Sequence, residues 1–436
     1  MNNIIGIRRE DKSRWERRVP LIPSHVRELK KDRGMRFIVQ PSPIRVFADD
    51  DFRLEGAKLQ EDLGPCQVIM AVKEIPAEMF APGKAYVFFS HTIKGQAANM
   101  AMLRRMIELK STLIDYERIV DDRDRRLVFF GRQAGEAGMV DTLWALGQRL
   151  RQEGIANPFE PLEPMHRYRS LVEAKEVLAE IGAGIRRDGL PAALVPLIVG
   201  FTGYGHVSQG AQEMLDLLPS DEVEPEEFQS FVGRGEFSPY RVYKSVFFEP
   251  HLVRPRDPSR AFDLQDYYAR PESYEPVFED YVPAMTIVVN GIFWTKRYPR
   301  FVSKGFLRWL YGAPVRPRLR VIGDISCDID GAMESTARAT DQDQPVYVYD
   351  PVTDTAVPGF EGNGPVVMAV DNLPAEMPLE SSVFFSQTLK PFLPALGAAD
   401  FAGTFEACDL PEPIKRAVVL FKGEFPPSYR YMQAFV

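Results

Sequence analysis

Short apolar runs recur along the chain, and stretches with apolar residues three and four apart lie between them. The runs predict strands over 4–7, 36–40, 68–72, 85–90 and 112–115, then over 197–201, 222–225, 286–289, 319–322, 345–348 and 366–370. The helical spacing predicts helices over 25–31, with Ser24 as the cap, and over 96–109, 134–152, 171–181 and 379–389. Strands alternating with helices build an α/β fold with parallel sheets flanked by helices. Segment 225–283 is rich in Pro, Tyr, Phe and Asp and shows little period, so it reads as an insertion decorating the sheet.

Length and composition change that picture in a few places. At 436 residues the chain exceeds the roughly 250–300 that one core serves, so two or three domains are expected. A net charge of −8 gives no broad basic field, which argues against nucleic acid. No apolar run approaches the ~18 residues a bilayer needs, and the first ten residues lack a signal-peptide plan. Cys66, Cys327 and Cys408 are scattered and odd in number, which argues for a reducing, cytoplasmic setting. His25, His166, His206 and His251 show no ligand spacing, so no metal site is expected. Oligomeric state stays open.

The most informative stretch joins the 197–201 strand to a glycine turn. Gly203, Gly205 and Ser208 give the pattern G-x-G-x-x-S around Tyr204, His206 and Val207. Glycine lets the chain turn sharply and lets a ligand approach the backbone. Val207, Ala211, Met214, Leu215 and Leu218 then recur at helical spacing. A helix opening there aims N–H groups at a pyrophosphate, as in dinucleotide sites; the alternative is an ordinary strand–turn–helix. An acid some 20 residues on would take a ribose hydroxyl and favour NAD. Asp221, Glu222 and Glu224 are the candidates, against a solvated acidic loop.

Charged residues come directly after the strands of the first part of the chain. Lys73 and Glu74, His91, and Glu117 stand just past three of them, and in open α/β sheets the ligand crevice lies outside those ends. These residues are expected to converge on one rim. Lys73 and His91 suit proton transfer near neutral pH if burial lowers the lysine. Arg18, Arg126 and Lys94 are candidate carboxylate clamps. Glu16, Glu74 and Glu117 are candidates to tune those cations. Rim or surface charges and structural ion pairs are the plain alternatives.

Collinear motifs extend this reading. Arg8–Pro23, with Glu16 and Arg18, resembles the opening of the saccharopine dehydrogenase (lysine-forming) and alanine dehydrogenase/transhydrogenase superfamily. The resemblance continues at Val72-Lys73-Glu74, at 88–94 and 114–117, at Phe130-Gly-Arg-Gln-Ala-Gly-Glu-Ala-Gly138 and through the glycine turn. It runs on to 289–294, to Asp324-Ile-Ser-Cys-Asp328 and to Val370-Asp-Asn372-Leu-Pro. It is nearest to the lysine–2-oxoglutarate reductase half of aminoadipic semialdehyde synthase.

The resemblance implies two Rossmann-like domains with an active-site cleft between them. A discontinuous substrate domain would cover 1–137 and 372–436, and a dinucleotide domain 138–371 with the insertion at about 225–283. It implies lysine, 2-oxoglutarate and saccharopine as small-molecule substrates, and NAD(H) or NADP(H) as cofactor. Lys73 and His91 would be the acid–base pair. Arg18, Arg126, Glu16, Glu74, Lys94 and Glu117 would serve the substrate, and the turn with Glu224, Asn290, Asp324, Asp328 and Asn372 the cofactor. No second dehydrogenase half comes after it, so a monofunctional chain is expected. A related opine or alanine dehydrogenase, or a non-catalytic nucleotide-binding protein, remains an alternative.

Overall fold

A computed structural model describes residues 3–436 and gathers the strands into two large sheets. Two compact units result: Met1–Phe129 with Pro378–Val436, and Phe130–Met377.

In the first unit, β1 (Ile4–Ile7), β2 (Arg36–Val39), β3 (Lys58–Leu59), β4 (Val68–Met70), β5 (Ala85–Phe88) and β6 (Thr112–Asp115) form one parallel array. Helices α1 (Pro23–Arg33), α2 (Asp49–Leu54) and α3 (Ala97–Glu108) lie between them in sequence. Ser24 is not the cap of α1. The helix starts a residue earlier with Pro23 at its first position, Ile22 holds the extended cap position, and no side chain caps it. Proline's fixed φ and missing N–H make that start favourable without a hydroxyl.

The second unit opens with α4 (Gly131–Gln152) and α5 (Leu171–Asp188), then β7 (Leu197–Thr202) and α6 (His206–Leu215). Next come β8 (Ser220–Glu222), α7 (Phe228–Arg234), β9 (Val242–Phe247), α8 (Glu249–Leu252), β10 (Val253–Pro255), α9 (Leu264–Ala269) and β11 (Tyr274–Pro276). The sheet continues with β12 (Ile287–Asn290), α10 (Lys304–Tyr311), β13 (Val321–Asp324), β14 (Val346–Asp350), β15 (Thr355–Pro358) and β16 (Val366–Met368). Its order is β15-β14-β16-β13-β12-β7-β9-β8, parallel except that β14 runs antiparallel to both its neighbours. The chain then returns through α11 (Pro378–Leu389) to the first unit. There β17 (Val418–Leu420) adds antiparallel to β6, giving the order β17-β6-β5-β4-β1-β2-β3.

Successive residues of a strand point to opposite faces, and the second unit buries both. Leu197, Val199 and Phe201 join one core cluster with Ile287 and Val289, whereas Ile198 and Val288 join a second on the other face. Segment 225–283 supplies much of that second cluster, including Phe228, Tyr243, Phe247, Tyr274 and Phe278. It is no decoration: β9 pairs with β7 along its whole length, from Leu197 opposite Val242 to Thr202 opposite Phe247.

Glycines set the closest approach in this unit. A Cβ on Gly135 of α4 would overlap the Val207 carbonyl, and one on Gly210 of α6 would overlap the Arg132 carbonyl. The two helices therefore touch backbone to backbone, which only glycine permits at both points.

Candidate active site

In the first unit β1, β4, β5 and β6 lie side by side, so their C-terminal ends open on one edge. Glu10 stands past β1, Lys73 and Glu74 past β4, His91 past β5 and Glu117 past β6. Glu74 is the hub. Its Oε1 accepts from His91 Nδ1 at 2.7 Å and its Oε2 from Lys12 Nζ at 2.6 Å. Burial pushes its carboxyl up, but these hydrogen bonds outweigh burial and hold it at about 2. An ionised carboxylate only accepts, so the proton sits on His91 Nδ1 and Nε2 is left for chemistry. His91 itself has φ +47°, unusual for a non-glycine residue. Asn99 Nδ2 donates to its carbonyl at 3.1 Å and Phe89 stacks on its ring at 6.3 Å.

Lys73 is half-buried, and among the described residues its amine has no hydrogen-bond or ion-pair partner. Burial first, and then the charge of Arg18, lower its pKa. Its position is fixed through the backbone. The buried Glu10 carboxylate accepts from Val72 N at 2.7 Å and Lys73 N at 3.0 Å. Burial, with Glu16 adding repulsion, pushes the Glu10 carboxyl up to about 7. Asp115 does similar work between β5 and β6: it accepts from Ser90 Oγ and from Glu117 N, and burial pushes it up to about 6.

The predicted clamps divide. Arg18 is buried and grips Glu16 with two bonds, Nε to Oε1 at 2.7 Å and Nη2 to Oε2 at 2.6 Å. Arg126 is more open, its Nη2 lying 3.0 Å from Glu117 Oε1. Lys94 is exposed in the loop after β5. The structure therefore brings Lys73, Glu74, His91, Glu16 and Arg18 into one charged network. Arg126 and Glu117 form a pair of their own after β6, and Lys94 stands apart.

In the second unit, Gly203 turns the chain out of β7 with φ +86°, and its N–H donates to the Phe247 carbonyl of β9 at 3.1 Å. Tyr204, Gly205 and His206 are exposed. Gly205 sits at the cap of α6 and brings no side-chain cap to the first-turn N–H groups. A Cβ added there would meet nothing within 4 Å. An uncapped ten-residue helix opening on free space fits the pyrophosphate of a dinucleotide. Ser208 is buried and accepts from Gln212 Nε2 at 2.9 Å.

Two of the other expected cofactor residues are sealed inside the fold. Asn290 and Asp324 are both 0% exposed and spend their polar atoms on neighbours. Thr202 Oγ1 donates to Asn290 Oδ1 at 2.6 Å, Asn290 Nδ2 to Asp324 Oδ1 at 2.8 Å, and Thr336 Oγ1 to Asp324 Oδ2 at 2.5 Å. This ladder ties the ends of β7, β12 and β13, and burial pushes Asp324 up to about 6. Glu224 comes after β8, the outermost strand, and β9 separates it from β7. Asp328 stays half-buried in the loop after β13, and Asn372 opens a short turn with its carbonyl on Ala375 N.

Residues 6–137 match the family model for the alanine dehydrogenase/PNT N-terminal domain. Over 99% of its length the chain is 39% identical to alpha-aminoadipic semialdehyde synthase of Arabidopsis thaliana and 35% identical to the mitochondrial enzyme of that name from Bos taurus. It covers 41% and 47% of those proteins, less than half of each. It is 27% identical to an NAD(+), L-lysine-forming saccharopine dehydrogenase of Emericella nidulans, over 90% of this chain and 92% of that one. The chain is thus similar to saccharopine dehydrogenases and to part of the aminoadipic semialdehyde synthases, and its first 137 residues include a match to the alanine dehydrogenase/PNT N-terminal domain.

Two solved structures share its fold. An L-alanine dehydrogenase superposes with a TM-score of 0.63 at 17% identity, over 99% of this chain and all of that one. The transhydrogenase from Sinorhizobium meliloti gives 0.56 at 15% identity, over 97% of this chain and all of that one. Both support two Rossmann-like units. Sequence reasoning missed Glu10, Lys12 and Asn99, which hold the candidate site together. Glu10 and Lys12 sit in the charged run after β1, where nothing local marks which carboxylate turns inward.

Proposed function

We propose that this chain is an NAD(P)-dependent oxidoreductase that interconverts lysine plus 2-oxoglutarate with saccharopine. The observation that carries this reading is Lys73: a half-buried amine without a partner, its pKa lowered, in one network with the His91–Glu74 pair. Relatives named aminoadipic semialdehyde synthase and L-lysine-forming saccharopine dehydrogenase support a lysine-related dehydrogenase.

Joining an amine to a ketone requires the amine nitrogen to lose protons and the departing oxygen to gain them. A lysine whose pKa is lowered by burial and an imidazole can each take up or give up a proton in the reaction. Glu74 keeps the imidazole in one tautomer, and Glu10 fixes the backbone that carries Lys73. Arg126, half-exposed beside Glu117, meets a substrate carboxylate, and Arg18 does so by sharing its fork with Glu16. A nicotinamide dinucleotide, when bound, supplies or accepts the hydride. Gly203, Gly205 and the first turn of α6 would hold its pyrophosphate. Three free thiols, Cys66, Cys327 and Cys408, fit a reducing compartment such as the cytosol.

The test monitors oxidation of reduced nicotinamide by its near-ultraviolet absorbance. Lysine plus 2-oxoglutarate should support it, and ammonia plus pyruvate should not. Oxidation with the second pair alone would replace the reading by an alanine dehydrogenase. None with either pair, despite tight nucleotide binding, would leave a non-catalytic binding protein.

A further inference from the structure

Four arginines meet at the end of the second unit's sheet that lies away from the glycine turn. Thr286 comes just before β12, Arg320 just before β13 and Leu194 shortly before β7, so three neighbouring strands begin in one place. From there β7 runs six residues to the turn, about 20 Å at ~3.3 Å per residue. A partly enclosed cavity of about 160 Å³ sits at this end. Arg316, Arg318 and Arg320 line it, with Thr286, Leu150 and Leu194 beside them.

The charges there do not balance. Glu153, which ends α4, takes three guanidiniums: Arg149 Nε at 2.7 Å, Arg316 Nη2 at 2.8 Å and Arg320 Nε at 3.0 Å. Arg149 also donates to the Phe360 and Gly362 carbonyls and is fully engaged. Arg318 has no carboxylate partner among the described residues. Its Nη2 donates to the Pro196 carbonyl at 2.6 Å, and its buried Nε meets no acceptor. The C-terminal end of α4 adds about half a negative charge. Four guanidiniums against one carboxylate and that half leave an excess of roughly two or more positive charges. Burial lowers the pKa of Arg316 and of Arg318, and neighbouring arginines lower both further.

Service to the end of α4 explains Arg149, Arg316 and Arg320. It does not explain Arg318, nor why open space and not packed side chains lies between the guanidiniums. A buried charged donor without an acceptor is costly and rare. The volume is several times the ~30 Å³ of a water in the liquid, and below the roughly 300 Å³ at which pockets for drug-sized ligands begin. That size suits one tetrahedral oxyanion, free or as the head of a larger molecule. Planar guanidinium forks are the usual partners of such oxygens.

We propose that this cavity binds a dianionic phosphate group, held by Arg316, Arg318 and Arg320, at a site separate from the glycine turn. Arg318 gives its orphaned Nε–H. Arg316 spends only Nη2 on Glu153, which leaves its other N–H groups for the anion. A carboxylate brings one negative charge to an excess of about two, so the dianion is favoured. Nothing here depends on the reaction proposed above, because every residue involved lies at the far end of the second unit's sheet.

The experiment measures Tm and calorimetric binding for the full chain with inorganic phosphate, glycerol phosphate or acetate, at constant low ionic strength made up with chloride. Low-millimolar phosphate should raise Tm by roughly 3 °C or more and give saturable heat. Acetate should do neither. Arg316→Gln and Arg318→Gln should each weaken phosphate about tenfold or more. Arg187→Gln, an exposed arginine paired with Asp188, should change nothing. Circular dichroism checks that each variant folds. Saturable binding of inorganic phosphate alone would support a site for the free ion, and binding of glycerol phosphate as well a site for a phosphate ester. A phosphate effect that survives both arginine variants but falls in Gly205→Ala would place the anion on the turn and overturn the proposal. So would an equal effect of acetate, or no saturable effect of phosphate on the unaltered chain, which would leave the cavity to water.

Discussion

The two units present the same architectural edge, the C-terminal ends of parallel strands, and furnish it in opposite ways. In the first unit, ionisable side chains leave the strand ends and hold one another in place: Glu74 with His91 and Lys12, Glu16 with Arg18, Lys73 left over. In the second, polar side chains at the strand ends turn inward and seal as Thr202, Asn290, Asp324 and Thr336. What is exposed there is the turn Tyr204-Gly205-His206, which leads into a helix whose first N–H groups no cap side chain takes. A rim of side chains can move protons. A rim of backbone can hold a phosphate and moves none. The fold alone decides neither, so function divides according to the few residues set just past each strand.

The sharpest break in that contrast is Lys73→Met. On the proposed function, turnover should fall by about 10²–10⁴, the usual worth of acid–base catalysis. Nucleotide affinity should stay within error. Parallel measurement of single-turnover rate and nucleotide Kd checks it, and a matched fall in both would blur the division of labour.

Two glycines of the second unit sharpen its side of the comparison. Gly210→Ala drives a methyl into the Arg132 carbonyl and should cost about 3 kcal/mol, read as a lower Tm. Gly205→Ala meets nothing within 4 Å, so Tm should hold while nucleotide binding weakens. If both acted alike, the turn would be packing and not a cradle.

pH should separate the rims more gently. Glu10, raised from 4.5 to about 7, keeps its proton in the folded state over that window while the unfolded chain releases it. Its contribution is therefore present below 4.5 and lost as pH rises through about 7. Glu376 behaves likewise, pushed up to about 7 by burial. Glu74 runs the other way: held at about 2, it stabilises above 4.5 and loses that contribution as pH falls toward 2. Denaturant unfolding at several pH values should show Glu10→Gln flattening the decline between 4.5 and about 7, by a few kcal/mol at most. An unchanged slope would mean Glu10 is not the proton holder.

The smallest effect expected is at Arg126. Replacing it with Ala should raise the KM for 2-oxoglutarate roughly tenfold, about one charged hydrogen bond, with little change in Tm. Unchanged saturation would take Arg126 out of the site.

The alternation of strands and helices was legible because most strands here are unbroken apolar runs. β9 escaped notice for a physical reason. Lys244 and Ser245 interrupt its apolar pattern, yet Lys244 is buried at 7% exposure because Asp216 and Glu222 neutralise it. A lysine that carries its counter-charges can sit in a sheet, and no local pattern announces them. The residues of the first rim could be named from their places after strands. That Arg18 would be tied to Glu16 while Lys73 stayed unpaired could not, because it depends on which charges the fold turns inward.

The crossing of α4 and α6 carries one mechanical corollary. Most neighbouring helices are cushioned by side chains that can switch rotamer and absorb a slip between them. Gly135 and Gly210 remove that cushion, so a tilt or slide of the 22-residue α4 has no compliant layer in which to dissipate and is handed on to α6. The aim of the glycine turn is thus geared to a long rod whose far end lies many residues from the turn.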